Sequence, residues 1–122
     1  MRVLIVEASP GLAHVWSSHL SRQGAVVSCA HSGADATTTL NENHFDVVVI
    51  NTDFEDGKGL AIADFVAFRL PDARVVFVTG SSFFSDGSIF NHAANAHACV
   101  SADTSPEDLA TVVDFHGRAS RA

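Results

Sequence analysis

Short apolar runs alternate along the chain with segments whose apolar residues recur at helical spacing. The short runs predict strands, and they lie at residues 3–6, 26–29, 47–50, 75–78 and 99–100. The run at 47–50 is continuous and β-branched, which is typical of a strand buried on both faces of a parallel sheet. Because the segments between these runs are helix-like and the connections are short, the pattern predicts right-handed βαβ units and a parallel sheet covered on both faces.

The segment 10–23 is the first predicted helix, with Ser9 as its N-cap, Pro10 at its first position and Gly24 at its end. Further helices are predicted at 32–43, 60–70 and 85–94, and a last one begins after Ser105. At a period of 3.6 residues, the first helix should bury a stripe that consists of Leu12, Val15, Trp16, His19 and Leu20.

A length of 122 residues and 47% hydrophobic content suit one globular domain. We expect this domain to span residues 1–117 and the tail at 118–122 to fray. A net charge of −7 argues against direct binding to nucleic acid or to an anionic membrane surface. The spacing of histidines and cysteines supports no metal site, and the first apolar run is too short for a signal peptide, so we expect a cytoplasmic protein.

Polar residues follow several predicted strands, at the sheet edge where open parallel sheets place their sites. Glu7 follows the first strand, Asn51 the third and Thr79 the fourth, and Ala102 comes shortly after the fifth. These four residues should form the floor of any site.

At this point the chain resembles the receiver domain of two-component response regulators over nearly its whole length. The resemblance lies in the order and spacing of VLIVEASP at 3–10, DGKGL at 56–60, LPDARVVFVTG at 70–80, ANA at 94–96 and SPEDL at 105–109. It implies a flavodoxin-like α/β fold, with five parallel strands in the order 2-1-3-4-5 and helices on both faces. It also implies a pocket in which an aspartate accepts a phosphoryl group beside Mg²⁺.

When the pocket residues of the family are matched by position to this sequence, the set is incomplete. Glu7 matches the first acid and Thr79 the hydroxyl, but Ala8 stands for the second acid, Asn51 for the acceptor aspartate and Ala102 for the lysine. A neutral amide is a poor nucleophile, and an alanine offers neither a metal ligand nor a cation. The resemblance therefore implies a pseudo-receiver that is not an enzyme, has no cofactor and binds Mg²⁺ weakly or not at all.

The sequence is compatible with three different functions. The first is a signalling module that acts through protein–protein contact without phosphorylation. The second is an atypical phosphoacceptor that uses Asp53 or Asp56, although Asp53 lies two residues past Asn51 and should point out from the loop. The third is a small-molecule sensor that uses the vestigial pocket.

The resemblance also implies an interaction face for a protein partner or a homodimer, formed by the predicted helix at 85–94, the fifth strand and the last helix. On this face Cys99 occupies a position where an aromatic residue is common, and Phe90 and Phe115 flank the inner stripes of their helices. Two flanking phenylalanines would form an exposed apolar patch. The alternative, that both tuck into the edge of the core, fits the helical spacing equally well.

Overall fold

The computed structural model describes residues 1–54, 58–79 and 96–121. The predicted helix at 85–94, Phe90 and Asp56 lie outside these residues. The strands are β1 (Arg2–Val6), β2 (Val26–Ala30), β3 (Val47–Asn51), β4 (Arg74–Thr79) and β5 (Ala96–Ser101). The helices are α1 (Pro10–Arg22), α2 (Gly33–Glu42), α3 (Gly59–Arg69) and α4 (Pro106–Arg121).

All five strands are parallel and lie in the order β2-β1-β3-β4-β5, which confirms the predicted flavodoxin-like topology. Strand β3 lies at the centre, and residues 47–50 are completely buried, as their β-branched run predicted. The two edge strands carry the two cysteines, Cys29 on β2 and Cys99 on β5, and both are free. Because three strands lie between them, the topology keeps these thiols apart.

Alternating side chains of the strands pack into two hydrophobic cores, one on each face of the sheet. On one face, α2 and α3 contribute residues such as Leu40, Ile62 and Val66. On the other face, α1 and α4 contribute Trp16, Leu20, Leu109 and Val113 to the second core. The helices thus cover both faces, which is why the strand sequences are apolar throughout.

The caps of the helices follow the sequence signals. The hydroxyls of Ser9, Ser32 and Ser105 accept hydrogen bonds from backbone N–H groups in the first turns of α1, α2 and α4. Gly24, after α1, has φ of 91°, a left-handed conformation that glycine adopts without a steric penalty.

The predicted inner stripe of α1 is partly wrong. The helix buries Ala13, Trp16 and Leu20, whereas Leu12 is 36% exposed and Val15 is 40% exposed. The buried residues lie on one side of the helix, which is rotated from the predicted stripe towards Ala13.

Helix α4 extends beyond Gly117, where we expected fraying to begin, and ends at Arg121. Gly117 is buried against the side chain of Met1, and a Cβ at this position would overlap the Met1 sulfur. The last turns of the helix therefore pack across the start of β1. Within the described residues, no helix combines the length and apolar character needed to cross a bilayer.

Candidate functional site

The carboxyl ends of the parallel strands bring the predicted site residues to one edge of the sheet. Glu7 directly follows β1, while Asn51 and Thr79 are the last residues of β3 and β4. The strand register places Ile50 beside Val6 and Asn51 beside Val78, so these strand ends are level with one another. These strand ends therefore lie together at one edge of the sheet, and their role as the floor of a site stays a prediction.

The centre of this edge is a direct hydrogen bond between Asn51 and Glu7. The Asn51 amide nitrogen donates to a Glu7 carboxylate oxygen at 2.9 Å. Glu7 is buried, with only 5% of its surface exposed, and Asn51 is half-buried. A buried carboxylate requires a hydrogen-bond donor, and here a neutral side chain supplies it.

The other end of the same amide is also engaged. The Asn51 side-chain oxygen accepts a hydrogen bond of 2.8 Å from the backbone N–H of Asp53. The amide therefore bridges an acceptor and a donor, which fixes its orientation. An aspartate could accept from the Asp53 N–H, but its ionised form could not donate to Glu7.

Asp53 joins this arrangement through its backbone. Asp53 is exposed, and its backbone N–H group makes the contact with Asn51. The direction of its side chain relative to the pocket stays a prediction.

Thr79 and Ala102 lie side by side at the ends of β4 and β5. Thr79 is buried, and its backbone carbonyl accepts a hydrogen bond of 2.9 Å from the Ala102 N–H. Ala102 is exposed, and it begins a turn in which the Ser101 hydroxyl accepts from the Asp103 N–H. Ala8 is exposed on the loop after Glu7. Neither alanine adds a charge or a ligand atom to the edge.

The backbone around Asn51 is held by close contacts. A Cβ at Gly59, the first residue of α3, would lie 2.6 Å from the Asn51 carbonyl oxygen. The Thr52 N–H donates to the Val78 carbonyl at 2.9 Å. The sequence singled out the loop that contains Gly59, but it did not reveal this close approach of α3 to the end of β3.

His31 is a neighbour of the site that the sequence interpretation missed. It follows β2, and its Nδ1–H donates to the backbone carbonyl of Glu7 at 2.8 Å. The Glu7 N–H in turn donates to the Ala30 carbonyl at 3.1 Å. The available signal in the sequence is the position of His31 directly after β2, at the same edge of the sheet as the other strand ends.

The donor set at this edge is poor for a divalent cation. One Glu7 oxygen already accepts from the Asn51 amide, and position 8 is an alanine. Across the described ranges, no group of three or more His, Cys, Asp or Glu side chains is arranged to hold a metal ion. Mg²⁺ prefers several oxygen ligands with carboxylates among them, so these residues do not fit the ion that the resemblance implied.

The predicted interaction face is described for β5 and α4. Phe115 on α4 is 66% exposed, whereas Cys99 is half-buried and packs against the core on the α2–α3 face. Burial raises the pKa of the Cys99 thiol, which suits a packing role. Phe68 on α3 is a second exposed phenylalanine, and the sequence interpretation did not identify it.

Comparison with known families gives one match over most of the chain. The profile described as "Response regulator receiver domain" matches residues 3–114. No curated protein matches this chain.

Solved structures give many matches to the fold. A CheY-like response regulator receiver domain protein from Methanospirillum hungatei JF-1 is 20% identical, with a TM-score of 0.85 over 98% of this chain and 95% of that one. The response regulator TrrA from Thermotoga maritima, solved in complex with Mg²⁺–BeF, is 19% identical, with a TM-score of 0.80 over 94% and 97% of the two chains. An adenylate cyclase from Rhodopirellula baltica is 14% identical, with a TM-score of 0.87 over 98% and 88%.

Proposed function

This chain belongs to the receiver-domain family of two-component response regulators, and from that premise we propose that it is a pseudo-receiver which acts by binding a protein partner without being phosphorylated. Residues 1–117 form the binding domain in this proposal. The observation that carries it is the hydrogen bond from the Asn51 amide to the Glu7 carboxylate.

That hydrogen bond replaces the chemistry of a phosphoacceptor with a neutral contact. A carboxylate at position 51 would face the buried Glu7 carboxylate, and a bound cation would be needed to hold the two together. The amide removes both the nucleophile and the need for the cation. The Glu7 carboxylate is then satisfied by the Asn51 amide without a bound cation.

The neighbouring positions support the same proposal. Phosphoryl transfer depends on positioning the group and neutralising its charge. Ala8 and Ala102 supply no carboxylate and no ammonium group for that purpose. Asp53 is a poor substitute acceptor in this proposal, because it lies on the exposed loop two residues past Asn51.

We place the partner-binding surface on the β5–α4 face, which we define by Arg74, His97, Phe115 and His116. Cys99, which the sequence assigned to this face, packs against the α2–α3 core on the other face of the sheet. The β5–α4 face is the one that the resemblance to receivers implies for a partner, and an exposed large apolar side chain on it would add an apolar contact. Phe115 is such a side chain, with its ring 5.1 Å from that of His116. Its exposure favours the interface over the alternative in which it tucks into the edge of the core.

Beryllofluoride, a phosphoryl mimic, tests the pocket directly. We expect Mg²⁺ with beryllofluoride to leave the backbone amide NMR signals of residues 7, 51, 79 and 102 of the wild-type protein unchanged. The triple variant Ala8→Asp, Asn51→Asp, Ala102→Lys is the positive control, and its signals should shift. Saturable shifts in the wild-type protein would overturn the proposal.

A further inference from the structure

Helix α3 carries apolar residues around nearly its whole circumference, although one of its sides faces solvent. Asp64 and Arg69 are its only charged residues. A helix that is apolar on every side is usually buried on every side. Phe68 is nevertheless 81% exposed, which is the largest exposure of any large apolar side chain among the described residues. The outer side of α3 therefore has the composition of a contact surface.

A groove between α2 and α3 lies beside this outer side. Small side chains line much of it, namely those of Ala34 and Thr37 on α2 and of Ala61 on α3, and the ring of Phe65 also borders it. Helices pack by inserting the side chains of one into the grooves of another, and small side chains let a further helix approach closely. Phe68 follows Phe65 by one turn, so α3 presents an exposed ring close to a hollow.

The outward positions of α3 have the spacing of a coiled-coil face. Ala61, Phe65 and Phe68 are separated by four and then three residues, which is the alternation of d, a and d positions in a heptad. Asp64 then occupies a g position and Arg69 an e position, on the two flanks of the apolar seam. When two such helices lie parallel, a g residue of one helix lies beside the e residue five positions further along the other. This register places Asp64 of one helix beside Arg69 of the second.

The two charges of α3 are available for such a contact. Asp64 and Arg69 are both exposed, and within the part of the chain that the structure describes neither forms an ion pair. Arg69 donates to the backbone carbonyl of Asn41 at 3.0 Å, which is a neutral acceptor and leaves the charge of the guanidinium uncompensated. An acid on one flank and a base on the other make the face complementary in charge to a copy of itself.

We propose that a second copy of the chain covers this face, in a symmetric dimer whose α3 helices lie parallel about a twofold axis. Phe65 and Phe68 meet their counterparts at the seam, and Asp64 of each copy pairs with Arg69 of the other. A twofold contact requires a self-complementary patch, which the seam and its flanks provide. Because α3 and α4 pack on opposite faces of the sheet, the dimer leaves the β5–α4 face accessible, and it does not depend on the proposed function.

The contact is short, so the association is weak. The seam from Ala61 to Phe68 spans about two helical turns. Interfaces smaller than the standard size form transient complexes, so we expect a dissociation constant between about 10 µM and about 1 mM.

Sedimentation equilibrium of the full chain tests the dimer. Between about 10 µM and about 1 mM the wild-type chain should show a reversible equilibrium of monomer and dimer. Phe68→Glu should remain monomeric over the same range, because it places two carboxylates at the seam. Phe115→Glu, which changes an exposed phenylalanine on α4, is the matched control and should dimerise like the wild-type chain. Circular dichroism shows whether each variant is folded.

Charge exchange tests the register. Asp64→Lys and Arg69→Glu, made separately, should each weaken self-association by about tenfold, because each brings like charges together twice. In an equimolar mixture of these two variants, every contact between the flanks joins opposite charges, so the mixed dimer should regain the wild-type affinity. Asp103→Lys, the same change of charge in the turn before α4, should leave self-association unchanged.

Three results would overturn the proposal. The first is a wild-type chain that stays monomeric up to about 1 mM. The second is a dimer that Phe115→Glu abolishes and Phe68→Glu does not, since that dimer would use the β5–α4 face. The third is a mixture of Asp64→Lys and Arg69→Glu that associates no more tightly than either variant alone. These results leave the proposed function unaffected, because the beryllofluoride experiment tests the pocket separately.

Discussion

Asn51 holds its side-chain amide between the Glu7 carboxylate and the Asp53 N–H, and both ends of the amide are used. An ionised aspartate at this position would keep one of these contacts and turn the other into a repulsion between carboxylates. In the proposed pseudo-receiver, the residue at the acceptor position also provides the hydrogen-bond donor that the buried Glu7 needs. Under this proposal, one side chain determines both the absence of the acceptor and the stability of the site.

Asn51→Asp should lower the free energy of unfolding by about 1–3 kcal/mol at neutral pH, because it leaves Glu7 without its donor and adds a second carboxylate. The loss of stability should become smaller below about pH 5. Repulsion between the two carboxylates raises the pKa of one of them, so that carboxyl takes up a proton in this range. Urea unfolding across this pH range measures it. The double variant Asn51→Asp, Glu7→Gln is the control and should recover most of the stability; no recovery would mean that the two side chains do not interact.

Restoring phosphoryl transfer should require more than the acceptor. Asn51→Asp alone should incorporate little phosphate from acetyl phosphate and Mg²⁺, because positions 8 and 102 remain alanine. The triple variant Ala8→Asp, Asn51→Asp, Ala102→Lys should incorporate much more, since groups that act as a unit have effects that are not additive. Intact-protein mass spectrometry measures the incorporation, and efficient phosphorylation of the single variant would show that the pocket is assigned incorrectly.

Helix α3 begins against the carbonyl of Asn51, and its first residue has no space for a side chain. A Cβ at Gly59 would lie 2.6 Å from the Asn51 carbonyl oxygen, whereas one at Gly11 of α1 would have no atom within 4 Å. Gly59→Ala should therefore lower the free energy of unfolding by about 1–3 kcal/mol.

Gly11→Ala is the matched control, and it should be neutral or stabilise by at most about 1 kcal/mol because alanine is the better helix former. Thermal and urea unfolding of the two variants measures the difference. Equal effects of the two substitutions would mean that α3 does not approach β3 as closely as the structure describes.

His116 on α4 should make the stability of the protein depend on pH. The lowered pKa of His116 has partial burial as its main cause, followed by Arg74 and His97. Since the folded-state pKa lies below that of the unfolded chain, His116 contributes stability that is present above about pH 6.5 and is lost as the pH falls through the folded-state pKa. His116→Gln should flatten the dependence of stability on pH between about 7 and 5, while His14→Gln should not. An unchanged curve for His116→Gln would contradict the contacts that we assign to this imidazole.

The elements were predictable from the sequence to different degrees. Apolar runs and cap residues located β3 and the start of α1 because these signals are local. The exposure of Leu12 and the shift of register between β4 and β5 at Val75 and Val76 were not predictable, since both depend on how an element packs against its neighbours. At the site, the positions of Glu7 and Asn51 followed from strand ends, but their hydrogen bond required the strand register and the side-chain orientation.

For the molecule as a whole, the parallel sheet determines where both the proposed vestigial pocket and the proposed binding face lie. The pocket lies where β1, β3 and β4 end, and the β5–α4 face lies at one edge of the sheet. A partner on that face can act without any change at the pocket, because Asn51 and Glu7 already satisfy each other there. The domain therefore has a receiver's architecture, and we propose that it works without a receiver's phosphoryl chemistry.

The decisive measurement is the mass of the wild-type chain after incubation with acetyl phosphate and Mg²⁺, with the triple variant treated in parallel. We predict that the wild-type mass stays unchanged, while the triple variant gains a phosphate that hydroxylamine removes. A stoichiometric, hydroxylamine-labile phosphate on any aspartate of the wild-type chain would contradict the proposal and identify the protein as a working phosphoacceptor.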